Sequence, residues 1–354
     1  MTGKAGDQQR GTPRTALPAW VEPQLATLTR ERFSLPDWIY ERKLDGERCL
    51  AFADPDGVRL MSRSERDITR TFPEVTAALR AQPRDSGLIL DGEIVAFEGT
   101  QTRFGKLQQR LGVASPADEL VDRFPVYYYV FDLLYSGGRD LRPRPLTERK
   151  ELLAGAVSFT DPVRFTKHRA GNGEAYWEQA CRDGWEGLVV KRAGAPYQGG
   201  RNRNWLKFKC ENAQEFVIGG FTDPQRSRVG FGALLLGYYD HGGLVYAGKV
   251  GTGFDNRTLR SLHAALAGLE QDHSPFSHAP PRERGVHWVR PRLVGQVGFS
   301  EWTTDGQLRH PRFQGLRDDK NPREVVRERP AGDTAGDDAA GDDAAGDVRP
   351  GLGG

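Results

Sequence analysis

One lysine, Lys43, carries the strongest chemical signal in this sequence. In the segment ERKLDGERCLAF (41–52) it stands at the end of a strand-like run and is followed by Asp45, Gly46 and Arg48. Nearby cations and partial burial disfavour an ammonium ion, so we expect a lowered pKa and a nucleophilic amine. Gly46 lets the backbone approach a ligand, and Arg48 offers a forked donor to a phosphate. A turn between two strands with solvated charges is the alternative interpretation.

A second basic segment, RNRNWLKFKC (201–210), alternates lysines with apolar residues. Lys207 and Lys209 would project from one face of a strand, while Leu206 and Phe208 pack behind it. Two fixed cations on one face fit a triphosphate or a nucleic-acid backbone. A merely solvated face is the alternative.

Carboxylates occur in two apolar strand-like runs. LILDGEIVAFE (88–98) places Asp91 and Glu93 on one face of a strand and leaves Glu93 half-buried. A carboxylate there can accept from a ribose hydroxyl or hold a metal; an Asp-Gly turn with an exposed Glu is the alternative. The run EGLVVKR begins with Glu186 and has Lys191 near its end, a pattern that is also common at the mouths of buried strands.

An aromatic strand and a basic cluster complete the candidates. In VYYYVFDLLY (126–135), Phe131 or a neighbouring Tyr could stack on a base, although core packing explains most of these rings. LRHPRFQGLRDDK (308–320) carries Arg309, Arg312, Arg317 and Lys320, a basic cluster that could meet a phosphate from across a cleft. Half of the ten lysines (43, 191, 207, 209 and 320) fall in these segments of an Arg-rich chain. Since only a lysine amine can lose its proton, this concentration favours chemistry over surface decoration.

These segments need a scaffold, and strand patterns dominate the chain. Short alternating or apolar runs with turn signals predict a large, mainly antiparallel sheet system, with helices over 72–82, 147–157 and 171–184. After residue 210, Gly-rich strands with one helix over 256–270 outline a small barrel of the oligonucleotide-binding (OB) type. We therefore predict an α+β protein.

Composition divides the chain into four regions: a disordered N terminus (1–14), a sheet domain (15–212), an OB-fold barrel (213–329) and a disordered acidic tail of AGD repeats (330–354). The net charge is +2, but six Asp and one Arg in residues 331–354 leave +7 on residues 1–330. This balance suits a partner that carries phosphates.

The sequence excludes a protein with membrane-spanning helices and disfavours a secreted protein. No apolar run approaches the roughly 20 residues of a membrane-spanning helix, and the N terminus has no signal-peptide pattern. The three cysteines are far apart and predict neither a disulfide framework nor a metal cluster, which fits a reducing cytoplasm.

In this order, the segments resemble the covalent nucleotidyltransferase superfamily, and most of all the ATP-dependent DNA ligases of the bacterial end-joining type. KLDGER resembles the nucleophile motif and MSRSERD, with Arg63, the next one. LDGEIVAFE, VFDLLY, EGLVVKR and WLKFKC resemble the third to fifth motifs, and LRHPRFQGLRDDK resembles the sixth. FGKLQQR, EFVIGGFT, YAGKVGTGF and HWVRPRLV are similar to the bacterial subfamily. The match covers about residues 15–329 and is highly specific. It implies an antiparallel-sheet adenylation (nucleotidyltransferase) domain followed by an OB-fold domain.

The resemblance also implies a reaction in three steps. Lys43 attacks the α-phosphate of ATP and becomes lysyl-AMP, AMP passes to the 5′-phosphate at a nick, and the 3′-hydroxyl displaces AMP. The implied catalytic residues are Lys43, Asp45, Arg48, Lys207, Lys209, Arg317 and Lys320. The implied nucleotide contacts are Glu41 on the adenine amino group, Phe131 on the ring, Glu93 on the ribose, Arg48 and Arg63 on ribose-phosphate or nick phosphate, Lys207 and Lys209 on the α-phosphate, and Lys191. Glu93 and Glu186 would hold Mg²⁺ or Mn²⁺.

The expected partner is nicked double-stranded DNA. No long helical DNA-binding domain precedes Lys43, so we expect help from a Ku-like end-binding protein. We expect a monomer with no membrane partner, in the bacterial cytoplasm and on the nucleoid when bound to DNA. The alternatives are an RNA ligase, an mRNA-capping guanylyltransferase and a non-catalytic scaffold for DNA ends. NAD as donor is disfavoured because a four-cysteine zinc module is missing.

Overall fold

The structure, a computed structural model, describes four stretches of the chain: residues 16–84, 86–224, 228–278 and 284–329. The predicted disordered segments 1–14 and 330–354 lie outside the described residues. No helix in the described stretches is long and apolar enough to cross a membrane.

Short helices and many strands make up these stretches. The helices are α1 (Pro73–Arg80), α2 (Phe104–Leu107), α3 (Asp118–Arg123), α4 (Leu146–Ala156), α5 (Gly173–Arg182), α6 (Asn256–Ala267) and a 3₁₀ turn at Pro322–Glu324. The strands up to residue 209 are β1 (Gln24–Leu28), β2 (Trp38–Arg42), β3 (Glu47–Asp54), β4 (Gly57–Ser62), β5 (Leu88–Glu98), β6 (Gln101–Thr102), β7 (Val126–Ser136), β8 (Arg139–Asp140), β9 (Val163–Phe165), β10 (His168–Ala170), β11 (Gly187–Arg192) and β12 (Gly200–Lys209). The later strands are β13 (Asn212–Thr222), β14 (Leu234–Asp240), β15 (Gly243–Val250), β16 (Glu270–Gln271), β17 (Val286–Phe299), β18 (Glu301–Trp302), β19 (Leu308–Arg309) and β20 (Arg312–Leu316).

The helices predicted from the sequence are confirmed as α1, α4, α5 and α6, with ends that differ by up to three residues. Pro73 stands in the first turn of α1, where its missing N–H leaves no helical hydrogen bond unmade. Asp255 begins α6, because its carboxylate accepts a hydrogen bond from the Thr258 N–H at 2.7 Å.

Two sheets build the first half of the chain. One has the strand order β1-β12-β11-β2-β10; the other has the order β4-β3-β5-β7-β8, with β6 on β5 and β9 on β7. Most pairs are antiparallel, and only β1–β12 and β7–β9 are parallel among the described pairs. Since β2 belongs to one sheet and β3 to the other, residues 43–46 form the crossing between them.

Strand β3, which follows this crossing, buries alternate side chains on its two faces. Leu50 and Phe52 pack in the cluster that also holds Phe131 and Trp205. The intervening Ala51 points to the opposite cluster, which contains side chains of α1. Both faces of β3 are therefore buried, and a slip of one residue would exchange them, so the register of the strand is strongly fixed.

The second half is a separate sheet with its own core. Its strand order is β15-β14-β13-β17-β16, with β20 on β17, and β18 pairs with β19. The long strands β13 and β17 pair from Asn212 opposite Phe299 to Thr222 opposite Val286. Leu259, Leu262 and Leu266 of α6 pack into this core.

The cysteine prediction was wrong in one respect. Cys181 and Cys210 form a disulfide, although 29 positions separate them in the sequence. Helix α5 packs on β11, the neighbour of β12, and this brings the end of the helix beside the end of β12. Spacing along the chain could not reveal this proximity. Cys49 is buried and free.

Candidate active site

All thirteen residues singled out from the sequence line one cavity, where the two sheets of the first half meet the end of the second half. They are Glu41, Lys43, Asp45, Arg48, Arg63, Glu93, Phe131, Glu186, Lys191, Lys207, Lys209, Arg317 and Lys320. Strand pairing explains the convergence, because β2, β11 and β12 are neighbours in one sheet and β3, β5 and β7 are neighbours in the other.

The crossing loop that carries Lys43 is tied down at several points. The Lys43 N–H donates to the Gly187 carbonyl at 2.9 Å. The Asp45 carboxylate accepts from the Phe104 N–H at 3.0 Å, and its own N–H donates to the Thr102 hydroxyl at 3.1 Å. A side chain at Gly46 would collide with β5, so this glycine allows the backbone to pack closely on that strand, and Gly46 also lines the cavity.

The Lys43 amine pairs with a carboxylate, which contradicts the predicted pKa. Its Nζ donates to Glu186 at 2.6 Å. Burial disfavours the ammonium ion, but Glu186, with Asp45 and Glu93 nearby, outweighs burial and raises the pKa of Lys43. The local cations do not flank the amine: Arg42 lies over the Trp185 ring at 4.4 Å, and the guanidinium of Arg48 is paired elsewhere.

Arg48 is held in a buried fork. Its guanidinium donates to both oxygens of Asp91 at 2.5 and 2.6 Å, and Asp91 also accepts from the Tyr197 hydroxyl at 2.7 Å. The same guanidinium lies 4.7 Å from the centroid of the Phe131 ring. Arg48 therefore supports the wall of the cavity as well as lining it.

The next part of the cavity combines a carboxylate with aromatic rings. Glu41 is 2 % exposed and pairs with Lys191 at 2.6 Å and with Lys150 at 2.5 Å. The Lys191 Nζ lies 4.1 Å from the Phe131 ring and 4.0 Å from the Trp205 ring. Burial lowers the pKa of Lys191 to about 8 despite Glu41. This amine lies close to Glu41 but has no partner in good hydrogen-bond geometry among the described residues.

The lysine pair of β12 is arranged as the sequence predicted. Lys207 and Lys209 face the cavity, and the intervening Phe208 packs with Leu206 on the other side of the sheet. Both amines bind the carboxylate of Glu328, with the Lys209 contact at 2.8 Å. Burial lowers the pKa of Lys207 to about 8, although Glu328 opposes this.

The end of the second half closes over the first. Arg317 pairs with Asp319 at 2.8 Å, donates to the Gly46 carbonyl at 3.5 Å and lies over the Phe104 ring at 4.1 Å. Lys320 pairs with Glu215 at 3.3 Å. Arg63, on the first half, reaches Glu324 at 3.3 Å. The two halves therefore meet in a closed arrangement over Lys43.

One carboxyl group beneath this contact opposes closure at high pH. Glu47 is 1 % exposed; one of its oxygens is 3.4 Å from Arg66, and the other has no hydrogen-bond partner among the described residues. Burial, with Asp319 and Asp318 nearby, raises the pKa of Glu47 to about 8, from an ordinary value of 4.5. Between about pH 4.5 and pH 8, therefore, Glu47 keeps its proton in the folded protein and loses it in the unfolded chain.

We expect Glu47→Gln to stabilise the protein in a pH-dependent way. The penalty from Glu47 grows as pH rises from about 4.5 to about 8 and is constant above, so the gain in Tm should be larger at pH 8 than at pH 5. Calorimetry across this range measures it, with the exposed Glu151→Gln as the control. A gain that is equal at all pH values would contradict the assignment.

Sequence reasoning missed four residues that shape the cavity. Tyr197 orients Asp91, Trp205 borders Lys191, Lys150 binds Glu41, and Glu328 holds the lysine pair. Lys150 had a signal, since it is one of only ten lysines in an Arg-rich chain.

Family models match most of the chain. The "ATP dependent DNA ligase domain" matches residues 23–209, and the "ATP dependent DNA ligase C terminal region" matches residues 227–320. Among curated relatives, the "Multifunctional non-homologous end joining protein LigD" of Pseudomonas aeruginosa is 38% identical over 327 residues, which are 90% of this chain and 38% of that protein. The LigD of Mycobacterium tuberculosis is 40% identical over 87% of this chain and 40% of that protein. The chain thus spans about two fifths of the length of these relatives.

A solved structure agrees with this match. The "mycobacterial DNA ligase D complexed with ATP and MES" is 37% identical, with a TM-score of 0.62, and covers 87% of this chain and 98% of that one. The predicted fold class, a mainly antiparallel nucleotidyltransferase domain followed by an OB-fold domain, is confirmed, and so is the predicted resemblance to ATP-dependent DNA ligases of the bacterial end-joining type. The chain therefore belongs to the ATP-dependent DNA ligase family.

Proposed function

We propose that this chain seals breaks in DNA by adenylyl transfer, with Lys43 as the nucleophile. The Lys43 nitrogen bonds to the α-phosphorus of ATP, the bond to the bridging oxygen breaks, and pyrophosphate leaves as the amine gives up its proton. An oxygen of the DNA 5′-phosphate then takes AMP from Lys43. Finally the 3′-hydroxyl bonds to that 5′-phosphorus and AMP leaves. The convergence of Lys43 with twelve other predicted residues in one cavity supports this proposal.

The roles of the cavity residues follow from their chemistry. The Glu41 carboxylate can only accept hydrogen bonds and suits the 6-amino group of adenine, while Lys191 has N–H groups for a ring nitrogen. Phe131 provides an apolar wall for the base. Glu93 would accept from the ribose, and Arg63, which is partly exposed at the mouth, would contact the nick phosphate.

The α-phosphate would bind Lys207 and Lys209, which already bind Glu328. Entry of the nucleotide must therefore displace the Glu328 carboxylate. We expect Glu328→Gln to remove this competition and to lower the apparent KM for ATP in self-adenylation several-fold, because a neutral amide binds two ammonium groups more weakly. Initial rates against ATP concentration measure the effect, with Glu301→Gln, on an exposed pair, as the control. An unchanged or higher KM for Glu328→Gln would contradict the competition.

A divalent ion fits the carboxylates of Glu93 and Glu186. No group of three or more His, Cys, Asp and Glu is arranged for a metal in the described stretches, but Mg²⁺ uses one or two carboxylates together with phosphate oxygens and water. Burial raises the pKa of Glu93 to about 7, which indicates a carboxyl that lacks a sufficient counter-charge. Glu93 and Glu186 would hold the ion, which would supply positive charge against the phosphates when bound. Asp45 would keep the crossing loop in place through its bonds to Thr102 and Phe104.

We also propose the domain organisation, the DNA substrate and the protein partner of this chain. We place the adenylation domain at 15–212 and the OB-fold domain at 213–329, acting as a monomer on breaks in double-stranded DNA. The names of the LigD relatives support a role in end joining, where a Ku-like end-binding protein would hold the DNA ends. The site of action would be the nucleoid in the bacterial cytoplasm.

A comparison of nucleotide and nucleic-acid substrates tests the proposal. The purified protein is incubated with labelled ATP or GTP and a divalent salt, and then with a nicked duplex of DNA or RNA. We expect label to enter the protein from ATP and to be released as AMP while the DNA nick is sealed. Labelling by GTP, or sealing of RNA in preference to DNA, would support the capping or RNA-ligase alternatives instead.

A further inference from the structure

We propose that Lys150 is a positioning residue that sets the preference of the site for a 6-amino purine by holding the Glu41 carboxylate fixed and charged. This inference rests on the proposed function, since it assigns the origin of base selectivity in the nucleotide site. Lys150 does not line the cavity, and it would act on the nucleotide only through Glu41.

All three N–H groups of Lys150 have acceptors. On α4 the side chain is 2 % exposed, and its Nζ donates to Glu41 at 2.5 Å and to the carbonyls of Phe131 and Thr166 at 3.2 Å each. An amine with its three donors spent in one geometry has no rotational freedom left. Lys150 therefore ties Glu41 to the backbone that carries the Phe131 ring.

Lys150 and Lys191 both pair with Glu41, but their positions relative to the cavity differ. Lys191 lines the cavity between two rings, its pKa is lowered to about 8 chiefly by burial, and its Nζ has no partner in good hydrogen-bond geometry among the described residues. Lys150 does not line the cavity, and its amine binds Glu41 and two backbone carbonyls. Burial alone would raise the pKa of Glu41, but Lys150 and Lys191 outweigh it and lower the pKa.

The charge on Glu41 decides which base edge it can read. A carboxylate accepts from the 6-amino group of adenine and repels the 6-oxo group of hypoxanthine or guanine. A protonated carboxyl can donate to a 6-oxo group, so discrimination fails when Glu41 is neutral. The lost hydrogen bond to a charged group corresponds to about a ten- to hundredfold change in efficiency.

Three nucleotides separate this role from a general loss of structure. We would measure self-adenylation rates at low nucleotide concentration with ATP, inosine triphosphate (6-oxo) and purine riboside triphosphate (no 6-substituent). Lys150→Met keeps the length of the side chain and removes its charge. Lys167→Met, at an exposed lysine, is the control.

We expect Lys150→Met to lower the efficiency with ATP by about ten- to hundredfold, to change purine riboside triphosphate less than threefold, and to deepen the ATP defect as pH falls. Equal loss with all three nucleotides, or unchanged ATP selectivity, would overturn the proposal. Glu41→Gln, with Lys150 intact, should also lose the preference for ATP over inosine triphosphate, and retention would again overturn it. Failure of the wild-type protein to label with any nucleotide would instead contradict the proposed function.

Discussion

Lys43→Arg is expected to abolish the AMP adduct, with a loss of at least ~10³-fold in self-adenylation. The guanidinium keeps its proton at any working pH and cannot become the neutral nucleophile. It can still pair with Glu186, 2.6 Å from the native amine, so the fold should persist. Transfer of label from ATP to protein measures the loss, with Lys167→Arg as the exposed control.

A persistent adduct in Lys43→Arg would contradict this assignment and place the nucleophile elsewhere in the chain. Circular dichroism and thermal melts check that the variant is folded at the assay temperature, so that a lost adduct reflects the missing amine. The pairing with Glu186 raises the pKa of Lys43, so activity of the wild-type enzyme should rise with pH as the amine loses its proton more readily.

The second large effect is expected in the basic segment 308–320, which contains Arg317. Arg317→Ala should reduce self-adenylation about 100-fold while reducing the sealing of a pre-adenylated nick less than tenfold. The reason is that Arg317 lines the cavity and donates to the carbonyl of Gly46, in the loop that carries Lys43. In the proposed reaction a cation there would stabilise the charge of the departing pyrophosphate, and the later steps would release no pyrophosphate.

Arg312→Ala provides the matched control for this prediction, because Arg312 is exposed on the same segment and does not line the cavity. Its self-adenylation should be unchanged. Equal losses of adenylation and sealing in Arg317→Ala would contradict the leaving-group role and would point to a purely structural pair with Asp319.

Local periodicity accounts for what the sequence could predict. The alternation of Lys207, Phe208 and Lys209 placed both amines on one face of β12, as the structure has them. The strand over 88–98 was predicted with its bounds, because apolar residues fill both of its faces. The faces of the strands could be read locally, but it is the pairing of distant strands that carries their polar residues to one cavity.

Long-range pairs account for what the sequence could not predict. Lys43 was judged by its neighbours in the chain, but its charge is set by Glu186, 143 positions away. Arg149 and Lys150 point inward from α4, against the usual pattern of an amphipathic helix. They can do so because each pairs with a buried carboxylate, Arg149 with Asp132 and Lys150 with Glu41. Glu328 and the Cys181–Cys210 bond were missed for the same reason.

Intact mass of the wild-type protein tests the central claim most directly. After exposure to ATP and a divalent salt, we predict a gain of one AMP unit, carried by a peptide that contains Lys43, and its disappearance when nicked DNA with a 5′-phosphate is added. A mass that never changes, or an AMP unit found on a peptide without Lys43, would contradict the account.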